Sequence, residues 1–275
     1  NYPTILSGDI GTNGSSSDNS FHVITASGIS ALTQLDGVAM TLGNANGGGT
    51  WQSWGGGMCI LTSSPAVNNC VLNLNSATTG GGILAIDSSP TFTNCTIQRN
   101  SAVNGGGISN TFSAPVFISC AMNGNTANSP GGCLQNRFSS PSFINCVFQD
   151  NTASSAVFAA GAGGAIDLSS NTTPTFTNCT FQGNVAESTF ISTGSGGAII
   201  SRDSSPVLLN CILWGDTPAE ISNSGSGGAS ASWTDVQGGY AGTQNIQTNP
   251  LFVDEAAADL SLSSGSPCID TGTET

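Results

Sequence analysis

One register runs through most of this chain and restricts its fold more than any motif does. A Gly pair leads into a short apolar run, then a proline, then an alternating run ending in cysteine, with an asparagine five residues later; over residues 80–125 this unit repeats with a period of 25. The Gly pairs stand at 56–57, 81–82, 106–107, 131–132, 163–164, 196–197 and 227–228, and the prolines at Pro65, Pro90, Pro115, Pro141, Pro174 and Pro206. Cys70, Cys95, Cys120, Cys146, Cys179 and Cys211 keep the frame, as do Asn75, Asn100, Asn125, Asn151 and Asn184, with Asp216 last in that column. Self-similarity at such a spacing is the mark of stacked repeats.

Inside each unit the apolar residues alternate, in short runs rich in Phe, Ile, Val and Thr, which is a strand pattern. Gly and Pro recur too often for a helix of any length. Like strands of successive units must then pair with one another. The expected fold is all-β: a single-domain right-handed parallel β-helix, a solenoid of ~25-residue coils, each with about three short strands and a climb of about 4.8 Å. Two columns would fill its core: Val67, Phe92, Phe117, Phe143, Phe176 and Leu208, and Leu72, Ile97, Met122, Phe148, Phe181 and Leu213. The cysteines suit a tight apolar corner beside them. An asparagine at a turn bonds local backbone and its counterparts above and below, so the Asn column reads as a ladder that holds a second corner in register. The Gly pairs supply positive φ or close backbone approach.

A solenoid has no internal boundary, so residues 1–275 form one domain with irregular coils over 1–46, regular coils over 47–232 and a closing module over 233–275. In the irregular part, Ala39 is expected at the cysteine position and Asn44 at the Asn corner. Only 7% of residues are charged, and the three cations Arg99, Arg137 and Arg202 face a net charge of −13. Nucleic-acid binding is excluded as a function class by that balance. No apolar run is long enough to span a membrane, and a chain starting at Asn1 inside a strand-like run reads as a mature or trimmed product.

Nine cysteines would ordinarily prompt a disulfide framework. Side chains stacked in register do not readily reach the disulfide dihedral, so the column is read as free buried thiols, with Cys59, Cys133 and Cys268 left open. Without a CxxC pair, zinc has no site. The loop carrying Asp9, Asn13, Asp18 and Asn19 offers oxygen ligands of the kind Ca²⁺ takes; a solvated turn is the alternative, and no other cofactor is called for. His22, the only histidine, reads as structural.

Length variation follows the Asn corner, and insertions in a solenoid map to one edge, often a binding edge. Trp51 and Trp54 at one end, with Val157, Phe158, Phe190 and Ile191 on later loops, form an expected apolar rim for a carbohydrate or for self-association, unless the loops fold over and bury them. Glycoside hydrolysis needs two carboxylates at a set separation, yet Asp87 and Asp203, both three before a proline, lie four coils apart, and Asp150 and Asp167 occupy other positions. A lyase wants a base close to its metal, and Arg99, Arg137 and Arg202 lack a carboxylate cluster in the sequence. No catalytic constellation is found. The position after each proline is too irregular for a Thr-lined ice-binding face.

Residues 233–272, WTDVQGGYAGTQNIQTNPLFVDEAAADLSLSSGSPCIDTG, resemble the closing module of the bacterial choice-of-anchor Q family of β-helix proteins, whose repeats are similar in style to those of polymorphic outer-membrane proteins. The matching steps are Asp235 to Gly239, Asn249 to Asp254 and Ser266 to Gly272, and both PTILSGDI (3–10) and the recurrent SSPxxxNC fit the same family. The resemblance implies export and surface display, usually without enzymatic activity. The family's upstream coils and an anchor after Thr275 are not in this sequence, which leaves attachment open.

The expected function is therefore that of a non-enzymatic extracellular structural or adhesive protein, a surface stalk or a filament subunit assembling head to tail through residues 1–27 and the closing module. Its alternative is a secreted polysaccharide-binding protein, with surface glycans as partners and glycan cleavage behind it.

Overall fold

The computed structural model describes residues 4–49, 51–155, 162–188 and 195–273. Its strands stack coil on coil into four parallel sheets. In the coil that begins at Gly81 they are Ile83–Ile86, Thr91–Thr93, Thr96–Gln98 and Ser101–Asn104, which define the first to fourth sheets. These hold eight, nine, nine and six strands respectively among the described residues. Pairing joins identical positions: Phe92 stands opposite Val67 and Phe117, and Ile97 opposite Leu72 and Met122.

Each coil thus carries four strands where the apolar alternation indicates about three. The extra strand follows the Asn corner, and its second residue is alanine: Ala45, Ala77, Ala102, Ala127, Ala153 and Ala186 lie in one column, outside the main core. A methyl group is too small to register as a core position in an apolar pattern. It nevertheless allows the short segment to pair.

The core is the two expected columns. Phe92, Phe117, Phe143 and Phe176 are fully buried, with successive ring centroids 4.9–5.0 Å apart and nearly parallel planes; Phe148 and Phe181 stack at 4.6 Å. Coil spacing therefore sets ring spacing. Burying such a ring is worth about 1.5–3 kcal/mol, so the columns supply much of the axial cohesion.

All three main corners are laddered. At the Asn corner, Asn100 Nδ2 donates to Leu72 O (3.0 Å) and Asn125 Oδ1 (3.1 Å), and the Asn100 amide N–H donates to that same Oδ1 at 3.1 Å. The arrangement recurs at Asn75, Asn125, Asn151 and Asn184. A second ladder, missed in the sequence, uses the residue two before the proline, a serine in every coil but that of Thr172: Ser63, Ser88 and Ser113 each donate a backbone N–H to the next serine hydroxyl at 3.1, 3.2 and 2.9 Å. A third uses the residue before cysteine, where Asn69, Asn94, Asn145, Asn178 and Asn210 adopt φ of 52–54° and Asn94 donates to Asn69 at 2.7 Å. Asparagine tolerates that left-handed conformation better than most residues.

The Gly pairs serve close approach: a Cβ on Gly82 would lie 2.7 Å from Gly107 O and 3.0 Å from Asn100 Nδ2. Positive φ falls on Gly55, Gly80 and Gly105, each just before its pair, and on Gly131, the first of its own.

The register differs from the sequence reading at both ends. Met40 pairs with Leu72, which places Val38 at the cysteine position and Gly43, whose N–H donates to Asn75 Oδ1 (2.9 Å), at the Asn corner, one residue ahead of Ala39 and Asn44. Both residue types there lack the identifying side chain, so the sequence offered no anchor. In the last coil Ile221–Ser224 is a first-sheet strand paired with Ile199–Arg202. Pro218 and Ala219 therefore occupy the Gly-pair place, and Gly227 and Gly228 lie at the following corner, where Gly228 N–H donates to Ser204 O (2.9 Å).

Beyond the last coil, Val236 is buried and Tyr240 packs on the core end, its hydroxyl donating to Ala229 O (3.0 Å). The closing module then turns back: Phe252–Asp254 and Asp259–Leu262 form an antiparallel pair, and Ala258 to Ser261 line a cleft with Ala121, Val147 and Thr180 on the outside of the third sheet.

Candidate functional site

The outward side of the first sheet is not flat to solvent. Cys59, Leu84, Ser109, Gln135, Asp167 and Ile200 form one outward row, and all but Gln135 are buried. The fourth sheet stands beside this row as a wall, because the Gly pair folds the chain back sharply between the two strands. Between them lies a groove of about 260 Å³ lined by Trp54, Thr79 and Asn104 on the wall, Leu84, Ser109 and Gln135 on the floor, and Ile86, Thr111 and Arg137 on the opposite lip.

Charge gathers along that lip. Arg137 pairs in register with Ser169, and Arg202 is the next residue of the row. Asp167 on the floor forms an ion pair with Arg202 and also feels the Arg137 charge; burial outweighs both arginines and pushes its carboxyl up to about 6. Asp167 and two of the three arginines thus share one face; both arginines stand four before a proline, but Asp167 stands seven before its own, so the sequence did not show that it joins them. Only the strand register brings them together.

Trp51 and Trp54 meet edge to face with centroids 5.3 Å apart. Trp54 bridges to Thr79 at the end of the groove wall, and Trp51 is half exposed. The remaining rim residues Val157, Phe158, Phe190 and Ile191 lie outside the described residues. An aromatic pair not singled out in the sequence, Phe112 and Phe138, stacks at 5.0 Å on the corner beyond Thr111 and Arg137. Both are exposed with φ of 50° and 49°, a conformation costly for bulky side chains.

The N-terminal loop uses its acids as braces. Gly14 N–H donates to the Asp9 carboxylate (3.1 Å) and Thr12 N–H to Asp18 (2.7 Å), and that backbone bond holds the Asp18 carboxyl below its usual value. Asn19 donates to Leu42 O (2.8 Å). Among the described residues, no group of three or more His, Cys, Asp or Glu side chains, here or elsewhere, is placed to hold a metal ion. His22 Nδ1 lies 3.0 Å from Gly55 O, a structural contact.

The column cysteines are free thiols that point to carbonyls of the preceding coil, as in Cys95 to Val67 (3.4 Å) and Cys120 to Phe92 (3.5 Å). Cys59 and Cys133 are also free and buried, and burial pushes the Cys59 thiol up to about 11. Cys268 is free, donates to Asp235 (3.1 Å) and is partly exposed.

The Asn ladder ends on acids. Asp216 Oδ1 accepts from Asn184 N (2.7 Å) and Nδ2 (2.6 Å), and Glu220 Oε1 accepts from Asp216 N (3.3 Å). Both side chains are buried, and desolvation raises both carboxyl pKa values. Asp87 and Asp203 lie at corners with φ of 48° and 46°, and Asp203 accepts from Ser226 N–H (2.7 Å).

Stacked parallel coils with laddered corners define a solenoid. The description "right handed beta helix region" matches residues 10–213, and the chain belongs to that family. Among curated proteins none matches this chain. Among solved structures, QnrB1, a plasmid-mediated fluoroquinolone resistance protein, aligns at 13% identity over 81% of this chain and 93% of its own, with a TM-score of 0.19.

Proposed function

We propose that this protein is a non-enzymatic structural or adhesive β-helix, displayed outside the cell, that assembles end to end. The observation that carries the reading is the edge that the first described coil presents. Among the described residues, Thr4–Ser7, Gln34–Asp36 and Ile24–Ser27 are the outermost strands of their sheets, with Leu6, Ile24 and Leu35 only partly covered and Leu32 91% exposed. Parallel edge strands above an apolar core take a further coil by strand addition. A head-to-tail contact of this kind is heterologous and propagates as a filament when its rotation does not close.

The other end supports the same reading in part, because Tyr240 covers the core while the closing module turns away along the third sheet. The only buried carboxyl pair in direct contact among the described residues, Asp216 and Glu220, terminates a ladder and is inaccessible to a substrate. The net charge of −13 opposes association until salt screens it.

Light scattering and electron microscopy of the purified chain across salt and protein concentration test this proposal. Mass that grows with salt, short filaments, and their loss on Leu35→Lys at that edge are expected. A chain that stays monomeric at every salt and concentration overturns the assembly reading.

A further inference from the structure

We propose that the groove between the first and fourth sheets binds an extended acidic polysaccharide, with Arg137 pairing a sugar carboxylate and Trp54 packing against a ring. This goes beyond the assembly proposal and does not depend on it, since the groove lies on the side of the solenoid and not at its ends.

Four observations carry it. The side chains of Thr79, Asn104, Ser109, Thr111, Gln135 and Arg137 line the groove and make no hydrogen bond to the described part of the protein. They are hydroxyls, amides and a guanidinium, the donors and acceptors that match sugar hydroxyls and carboxylates. Trp54 adds an amphipathic ring at the end of the wall, where one face can cover apolar C–H groups.

Charge selects an acidic chain over a neutral one. Two of the three cations of a chain with net charge −13 lie along this lip, and the acid on the groove floor, Asp167, is paired with Arg202. The exposed Arg137 remains for a ligand anion.

Backbone pairing selects a sugar chain over a peptide. Along the groove, strands of both sheets are paired on both sides, which leaves no edge for a peptide to extend. Equivalent lining positions recur once per coil, at about the 4.8 Å strand spacing, a step comparable to the length of one sugar unit in an extended chain.

The test is calorimetric titration of the intact chain with an oligogalacturonate, a neutral xylo-oligosaccharide and polyglutamate. Arg137→Gln and Trp54→Ala are the variants, with Arg99→Gln, an exposed arginine outside the groove, as control. The expected result is binding of the oligogalacturonate alone, weakened roughly tenfold or more by Arg137→Gln, weakened by Trp54→Ala and by added salt, and unchanged in Arg99→Gln. The circular-dichroism melt of each variant should match that of the parent, because Arg137 is exposed and Trp54 is only partly buried. Absence of oligogalacturonate binding, equal loss in Arg137→Gln and Arg99→Gln, equal binding of the neutral oligosaccharide, or equal binding of polyglutamate would each overturn the assignment.

Discussion

The end of the Asn ladder should make this solenoid sensitive to rising pH. In every earlier rung Nδ2 is a donor, to a carbonyl of the preceding coil and to the next asparagine. At residue 216 that place is taken by a carboxylate oxygen. Asp216 Oδ2 and Glu220 Oε2 are buried without a hydrogen-bond partner of their own, and two ionised carboxyls cannot share a desolvated site. A proton must stand where an amide N–H stands elsewhere. Burial, the leading cause, holds Asp216 up to about 6 even though the Glu220 contact lowers it, and burial together with the contact to Asp216 holds Glu220 up to about 10, against ordinary values of 3.8 and 4.5. Folded pKa values above unfolded ones mean that the folded state keeps protons the unfolded chain releases. The stabilisation is therefore complete below about pH 4 and is lost as pH rises through the folded values. For one retained proton the slope is about 1.4 kcal/mol per pH unit, so moving from pH 5 to pH 7 removes up to about 3 kcal/mol. Asp216→Asn combined with Glu220→Gln replaces the shared proton with permanent N–H donors and should flatten that slope. Urea unfolding at a series of pH values, with amide exchange over residues 212–224 to localise the effect, measures it. Equal pH slopes in the parent and the double variant would refute the shared-proton account.

Two further outcomes test the architecture. Asn125→Ala removes the amide that serves Asn100, Ile97 and Asn151 and should cost about 1–3 kcal/mol or more in denaturant titration, while Ser101→Ala on an exposed position should stay within roughly 0.5 kcal/mol; equal losses would remove the ladder from the account of stability. In the folded protein a thiol reagent should label Cys268 first and leave the eight buried cysteines slow, and all nine should react once the chain is unfolded without reductant; column cysteines that stay unreactive after unfolding would mean disulfide links.

The coil was legible where side chains announce themselves. Phenylalanine, cysteine and asparagine recur at fixed offsets, and each has one physical role in a stacked coil, so the core columns and the Asn ladder could be placed by counting. The fourth strand was not legible, because Ala102 and Ala127 contribute one methyl group each and alternate with residues that face solvent. The Ser63–Ser88–Ser113 ladder was hidden for a related reason: serine before proline reads as turn chemistry, and only stacking turns a local preference into an axial chain of hydrogen bonds. Register failed at residues 38–44 and 218–228 because each segment lacks the residue that marks its column elsewhere.

The groove exposes a different limit. Its parts sit at unlike positions within the repeat: Trp54 before a Gly pair, Thr79 and Asn104 at the end of the fourth strand, Ser109 and Gln135 at the second residue of the first strand, and Arg137 at the fourth. A periodic reading averages over coils and treats such residues as departures from the motif. In a solenoid those departures are the free variables, since core and corner positions are fixed by packing while outward rows can change from Cys59 to Leu84 to Ser109 to Gln135 to Asp167 without disturbing the register. Specific recognition must then be encoded across coils, one side chain from each. The polar stretch from Ser109 to Asp167, with both lip arginines beside it, is where this chain departs furthest from an apolar outward row.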